Sequence, residues 1–381
     1  MATYKLIATA AMGLESVVAK EVQQLGYKTT VENGKIMYQG DEEAIVKSNL
    51  WLRTADRVKI VMGEFKVYSF DQLFEQTKAL PWESLLPVDA AFPVSGKSIK
   101  SQLYSVPDCQ AIVKKAIVEK LKKVYKRMSF LDESGPTFKI EVAIRNDIAT
   151  LTIDTSGAGL HKRGYRVGQG EAPLKETMAA ALVQLTNWRP DRPFHDPFCG
   201  SGTIAIEAAL IGQNIAPGFN RDFISEEWPA IKKEVWDKAR QEAEEAADYD
   251  QPLEIYASDI DHNMVEIAKE NAIEAGLGDI IQFKQMQVRD FTAFNHYGVI
   301  VGNPPYGERI GEEEAVETMY KEMGEAFEKY PTWSKYIITS HPAFESLYGK
   351  PATKKRKLFN GFIRTDYYQY WGTRPPRNVQ S

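Results

Sequence analysis

Cysteine and histidine are scarce in this chain. Its 381 residues hold two Cys, Cys109 and Cys199, and five His. Two thiols this far apart do not make a disulfide scaffold, and no Cys/His cluster has zinc or iron–sulfur spacing. No metal is therefore expected, and reduced thiols fit a cytoplasmic protein. Long apolar runs are missing too: none approaches the roughly 18 residues of a membrane helix, so no membrane partner is expected. Residues 6–14, Leu-Ile-Ala-Thr-Ala-Ala-Met-Gly-Leu, read as a strand and a Gly13 turn leading into an amphipathic helix over 14–25, in preference to a signal peptide. Internal repeats are absent. Charge of either sign is not in excess: 47 Lys+Arg stand against 52 Asp+Glu, a net of −5, which on its face argues against a nucleic-acid partner. Aromatic residues are plentiful, and 17 Phe with 18 Tyr exclude disorder as the dominant state.

The length suits two or three domains. Residues 1–65 read as a small α+β unit. In it, Asn33-Gly34 marks a hairpin turn and Asp41 caps a helix over 42–50. Residues 66–155 form a second module. Between Ser95 and Arg127 it has nine basic and two acidic residues, a local balance of +7. A helix is expected over 111–128, with Ile112, Ala116, Leu121 and Val124 as its apolar stripe and Lys115, Lys122 and Lys126 on another face. Strands follow over 137–144 and 148–154. Gly96-Lys97-Ser98 resembles the end of a P-loop, but Ala91 stands where that loop requires glycine. A Gly-rich linker over 156–170 leads to a third region, 171–381. There, strand-like runs (194–198, 253–258, 280–285, 299–302, 336–339) alternate with helical ones, the pattern of a doubly wound, mostly parallel α/β sheet with helices on both faces. Residues 226–254 hold ten acids and four bases and read as a solvated helix face. The basic run Lys354-Lys-Arg-Lys357 is read equally as an RNA contact or a solvated loop.

Three motifs in the third region carry chemistry. The first is His195-Asp-Pro-Phe-Cys-Gly-Ser-Gly-Thr203, where a strand end meets two glycines and a helix. Gly200 and Gly202 permit a tight turn and the close approach of a ligand, and the helix offers free N–H groups. Gly200-x-Gly202-x-x-Ala205 also matches a dinucleotide fingerprint. Asp196 would repel a pyrophosphate, however, and suits an ammonium. In the second, Asp259 ends a strand, placed to accept ribose hydroxyls, and Asp261 caps the helix that follows. Asp290, which ends the next strand-like unit in Gln287-Val-Arg-Asp-Phe291, has the register of an acceptor for an adenine amino group. The third motif is Asn303-Pro-Pro-Tyr306. Its prolines fix the turn and donate no N–H. That leaves the Asn303 side-chain and Pro304 backbone carbonyls as two acceptors suited to an exocyclic NH₂ on a planar base, with Tyr306 stacking on that base once it leaves its helix.

This order of motifs resembles class I S-adenosylmethionine-dependent amino-methyltransferases. Leu160-His-Lys-Arg-Gly-Tyr-Arg166, Ala172-Pro-Leu-Lys-Glu-Thr177 and Asn303-Pro-Pro-Tyr-Gly-Glu-Arg309 narrow the resemblance to bacterial THUMP-containing methyltransferases of large-subunit rRNA, which act on guanine N2. Members are also labelled N6-adenine DNA methylases. The resemblance spans the chain, with 1–65 similar to a ferredoxin-like unit and 66–155 to a THUMP module. One methyltransferase unit is read here, where some relatives carry a fusion of two. The resemblance implies S-adenosylmethionine as cofactor. Lys175, Glu176, Thr177, Asp196, Phe198, Gly200, Gly202 and Thr203 would lie around its methionine part, Asp259 at the ribose and Asp290 at the adenine. Asn303, Pro304 and Tyr306 would hold the target base. Lys97, Lys100, Lys115, Lys122 and Lys126 would contact RNA phosphates. N6-adenine methylation of DNA or RNA, and guanine-N2 methylation of tRNA, are the competing expectations.

Overall fold

The computed structural model describes residues 2–168, 173–307 and 313–374. Ala172, Glu308 and Arg309 of the motifs above lie outside them. The chain divides into two compact units. Unit one comprises Met1–Ala10, Val18–Leu160 and Gly218–Ala243, and unit two comprises Ala11–Val17, His161–Pro217 and Glu244–Ser381.

The elements of unit one are β1 (Tyr4–Ala10), α1 (Glu15–Gln24, whose first residues belong to unit two), β2 (Thr30–Glu32), β3 (Lys35–Gly40), α2 (Glu42–Trp51), β4 (Ala55–Lys66), α3 (Phe70–Ala79), β5 (Val94–Ile99), α4 (Val106–Val124), β6 (Lys139–Arg145) and β7 (Ile148–Asp154). The seven strands make one sheet in the order β2-β3-β1-β4-β7-β6-β5. The apolar N-terminal run is an interior strand: Leu6 and Ala8 of β1 are fully buried, opposite Ile60 and Val58 of β4. Glu32 pairs with Lys35, so Asn33-Gly34 forms a two-residue hairpin loop, with Gly34 at φ +75°. Asp41 caps α2, accepting from the Ala44 N–H at 3.2 Å.

Helix α4 starts at Val106, five residues before the expected start. Pro107 sits in its first turn, where a missing N–H costs nothing. The buried stripe is Cys109, Val113, Ala116, Ile117 and Leu121, and Val124 is exposed. The sequence reading also did not resolve β4, a single 12-residue strand, or α3 and β5. Strand β4 pairs with both β1 and β7, so residues 1–65 and 66–155 share one sheet and one core.

Unit two contains α5 (Glu176–Gln184), β8 (Phe194–Asp196), α6 (Thr203–Gly212), the last turn of α7 (Lys233–Ala246), β9 (Ile255–Asp259), α8 (His262–Glu274), β10 (Ile281–Gln285), β11 (Val299–Gly302), α9 (Glu313–Glu328), β12 (Ser334–Thr339), α10 (Phe344–Tyr348), β13 (Lys354–Asn360) and β14 (Ile363–Tyr370). Its sheet runs β10-β9-β8-β11-β12-β14-β13, with β14 alone running against the others, antiparallel to both β12 and β13. Strands β11 and β12 are buried throughout, the mark of central parallel strands covered on both faces. Alternation divides their side chains between two cores: Val299, Val301, Tyr336 and Ile338 join α5, α6 and α8, whereas Ile300 and Ile337 join α9 and α10.

The acidic stretch behaves as a solvated face over only part of its length. Gly218–Ala243 packs within unit one. Trp228 stacks on Phe138 at 4.5 Å and donates to the Thr137 carbonyl, and Trp236 stacks on Phe223. Glu226 is tied to Arg240 at 2.6 Å.

Candidate active site

In open parallel sheets, ligands bind beyond the carboxyl ends of the strands, where the strand order reverses. Here that point lies between β8 and β11, each the other's neighbour. All three chemical motifs end strands on this edge: Asp196 ends β8, Asp259 ends β9, and Asn303 follows β11.

The two glycines of the first motif have different reasons to be glycine. Both have positive φ, +49° at Gly200 and +85° at Gly202. A Cβ on Gly200 would meet nothing within 4 Å, whereas one on Gly202 would lie 3.0 Å from Ala268 of α8. Gly200 therefore faces open space, and Gly202 lets two helices close together. Asp259 joins the first two motifs. Its Oδ2 accepts from the Gly200 N–H (2.9 Å) and its Oδ1 from the Asp261 N–H (3.0 Å). Asp261 caps α8 through the Asn263 N–H. Phe198 lies against the end of β11: a Cβ on Gly302 would come within 3.0 Å of its ring.

Asp196 is fully buried. Its Oδ1 accepts from the Phe198 N–H at 3.1 Å, and its Oδ2 has no hydrogen-bond partner. Burial, seconded by the charge of Asp259, pushes this carboxyl well above the usual carboxylate range. His195 beside it is buried on Ser258 Oγ, and burial lowers its pKa to about 3, so the ring is neutral.

In the third motif, Asn303 Oδ1 accepts from Tyr306 Oη at 2.7 Å. The Pro305 carbonyl accepts from Tyr320 Oη, also at 2.7 Å, which pins the loop to α9. Pro304 is buried, and Tyr306 is half-buried.

The remaining expected residues are less uniform. Thr177 is buried in the first turn of α5 and Lys175 is exposed just ahead of it. Glu176 is not a free acceptor, because it pairs with Arg166 at 2.8 Å. The same guanidinium donates to Ser201 Oγ and to Thr203 Oγ1. Asp290 is exposed on a one-turn helix after β10 rather than at a strand end. Of the basic set, Lys97 pairs with Glu141 (3.2 Å), Lys115 lies over Phe74 and Lys122 over Phe130; Lys100 and Lys126 are exposed.

Four supporting residues were missed. Arg166 is one. Asn271 holds the linker by accepting from the Val167 and Gly168 N–H groups and donating to the Ser201 carbonyl. Asn360 approaches Tyr306 Oη at 3.4 Å. Glu207 is fully buried in the otherwise apolar helix α6 and receives Arg163 and Tyr165. That lone acid among Ile and Ala was a legible signal of a buried partner.

Two other features accompany these motifs. A cavity of about 300 Å³ is lined by His195, Tyr256, Lys284, Phe294, Asn295 and Trp333, among others. Asn295 precedes β11 and Trp333 precedes β12, whereas Lys284 belongs to β10 and Met286 follows it. Glu313, Glu317 and His341 gather three potential ligand atoms within 4.8 Å, although His341 Nδ1 already accepts from the Ala343 N–H.

The strand order, with an acid-flanked glycine turn and an Asn-Pro-Pro-Tyr loop at its switch point, defines a Rossmann-like methyltransferase unit. Family models agree: an RMKL-like methyltransferase domain matches residues 163–369, an RlmL ferredoxin-like domain 5–59, and a THUMP domain 67–154. The chain belongs to this family of THUMP-containing, RMKL-like methyltransferases. It is 67% identical over 379 residues to the Bacillus subtilis (strain 168) protein named "Putative RNA methyltransferase YpsC", covering 99% of this chain and 98% of that one. Among solved structures, a "predicted N6-adenine-specific DNA methylase" from Listeria monocytogenes is 64% identical with a TM-score of 0.95, covering 98% of this chain and 97% of that one. SMU.472, described as "a putative methyltransferase complexed with SAH", is 51% identical, also with a TM-score of 0.95, covering 99% of this chain and 100% of that one. Among the described residues, no helix is long and apolar enough to cross a membrane.

Proposed function

We propose that this protein is an S-adenosylmethionine-dependent RNA methyltransferase that acts on the exocyclic N2 amine of a guanine in large-subunit rRNA. The observation that carries the reading is Asn303 Oδ1, held by Tyr306 at 2.7 Å on the same sheet edge as the orphaned Asp196 carboxylate. The residues present fit the cofactor: a buried carboxylate oxygen without a partner suits an ammonium, and Gly200 leaves open space beside it. When bound, S-adenosylmethionine supplies an electrophilic methyl group. Asp196 holds the amino-acid end, Asp259 the ribose and Asp290 the adenine, with Lys175, Thr177, Phe198, Gly202 and Thr203 around them. Asn303 Oδ1 has a second lone pair after Tyr306 has used one. It accepts from the target amine together with the Pro304 carbonyl, turning the nitrogen lone pair towards the methyl. Tyr306 stacks on the base. Orientation of this kind supplies a large share of the rate. Lys97, Lys100, Lys115, Lys122 and Lys126 supply RNA affinity.

The THUMP match favours RNA over DNA. The second reading, adenine N6, uses the same loop and is supported by the description of the Listeria relative. Labelled cofactor is incubated with large-subunit rRNA, tRNA or DNA, and the products are digested to nucleosides. Label in N2-methylguanosine from rRNA is expected. Label in N6-methyladenine from DNA overturns the proposal.

A further inference from the structure

The basic run Lys354–Lys357 lies on β13, and the fold separates its members. Arg356 is spent on the Gly13 carbonyl and Ser16 Oγ, and Lys355 on Glu345. Lys357 is exposed, its ammonium over the Phe359 ring at 5.3 Å. Across the hairpin, Phe359 faces Arg364, which is also exposed. Strand parity places Lys357, Phe359 and Arg364 on one face of the ribbon. Leu358 and Asn360 take the other face, where Leu358 enters the core and Asn360 reaches Tyr306 Oη. Among the described residues, neither Lys357 nor Arg364 has an ion-pair partner.

Asn360 pairs with Ile363, so the turn is the two residues Gly361-Phe362, with Gly361 at φ +63°. A positive φ at the first central position gives a tight hairpin turn, and Phe362 projects from it at 105% exposure. Single exposed apolar residues are ordinary, and Phe130 and Phe294 are nearly as exposed. Phe362 differs in its position: it is two residues from the amide that touches Tyr306, on a two-residue turn, beside two cations that have no ion-pair partner among the described residues.

We propose that the β13–β14 hairpin is a second RNA contact of the catalytic unit, with Phe362 stacking on a base next to the target nucleotide. Lys357 and Arg364 bind the flanking phosphates. A base that leaves its stack exposes its neighbours, and an aromatic wedge satisfies them. The occupant is a looped or single-stranded RNA segment, because an A-form helix presents no unstacked base face to a side chain.

This inference rests on the RNA methyltransferase reading, and the experiment separates the two. Initial rates are measured with labelled S-adenosylmethionine and an rRNA transcript for wild type, Phe362→Ala, Phe362→Trp and the double variant Lys357→Ala/Arg364→Ala. Phe362→Ala is expected to lower kcat/KM by about tenfold, the scale of one lost base–aromatic stack. Phe362→Trp restores the rate, and S-adenosylhomocysteine affinity and Tm are unchanged. The double variant reduces the slope of log affinity against log salt by roughly 0.7 per side chain. No label in RNA with wild type defeats the methyltransferase reading. Normal wild-type activity with an equally active Phe362→Ala overturns the hairpin's role. So does a loss confined to ribosomal particles with naked RNA unaffected, which assigns the tip to a protein.

Discussion

Asp196 sets two demands against each other. Its folded pKa is raised above the unfolded value by burial. The stability it permits is therefore fully present below the unfolded carboxylate pKa and is lost as pH rises through the folded pKa. Asp196→Asn removes that loss while keeping an acceptor for the Phe198 N–H. The cofactor-free variant is expected to have a higher Tm than wild type at neutral pH, the two converging in acid. It is also expected to lose most of the Tm increase that S-adenosylhomocysteine gives wild type. A variant still stabilised by the ligand to the wild-type extent refutes the ammonium role. Asn303→Ala is expected to keep ligand affinity within about twofold and to lose at least about 100-fold in transfer rate, the scale of one oriented polar contact at a reacting centre. Single-turnover kinetics check this. At this scale the sequence was informative wherever a strand end met an acid or a fixed turn. It was silent on Asn271 and Asn360, whose partners lie 70 to 104 and 54 positions away, and on Arg166, which reaches Ser201 35 positions on as well as nearby Glu176.

Among the elements, the linker and α6 form the brace behind the glycine turn. Arg163 and Tyr165 meet Glu207, and Arg166 meets Glu176, Ser201 and Thr203. Arg163→Ala leaves a buried carboxylate with reduced compensation and is expected to destabilise by about 3–5 kcal/mol, read by urea unfolding. Periodicity located β8 to β12 well, because buried parallel strands are continuous apolar runs. It lost β4, whose second half alternates too weakly to read as strand, and it began α4 at Ala111, four residues after the proline that sits in the helix's first turn. A proline in a helix's first turn is a start signal.

At the level of the whole molecule, net charge was the weakest guide, since a +7 segment and an acidic one cancel within it. Lys100→Ala and Lys126→Ala are each expected to weaken RNA binding uniformly across sequences and to lower the salt slope by roughly 0.7–0.9, as phosphate contacts do. Filter binding at several salt concentrations checks this, and an unchanged slope removes both residues from the interface. Trp228 is outside residues 1–160 but is buried against Phe138. Trp228→Ala is expected to cost about 3–5 kcal/mol in the transition of unit one, resolved by hydrogen exchange at β6.

The connectivity of the two units has a further consequence. Unit one takes a piece from beyond its linker, and unit two takes Ala11–Val17 from near the N-terminus. No single cut of the polypeptide therefore separates the two bodies. A nick near residue 165 leaves each fragment holding part of the other's core, so the two pieces are expected to co-purify as a complemented pair. For the same reason, an exchange of RNA-binding modules between relatives by one splice point would produce two incomplete folds.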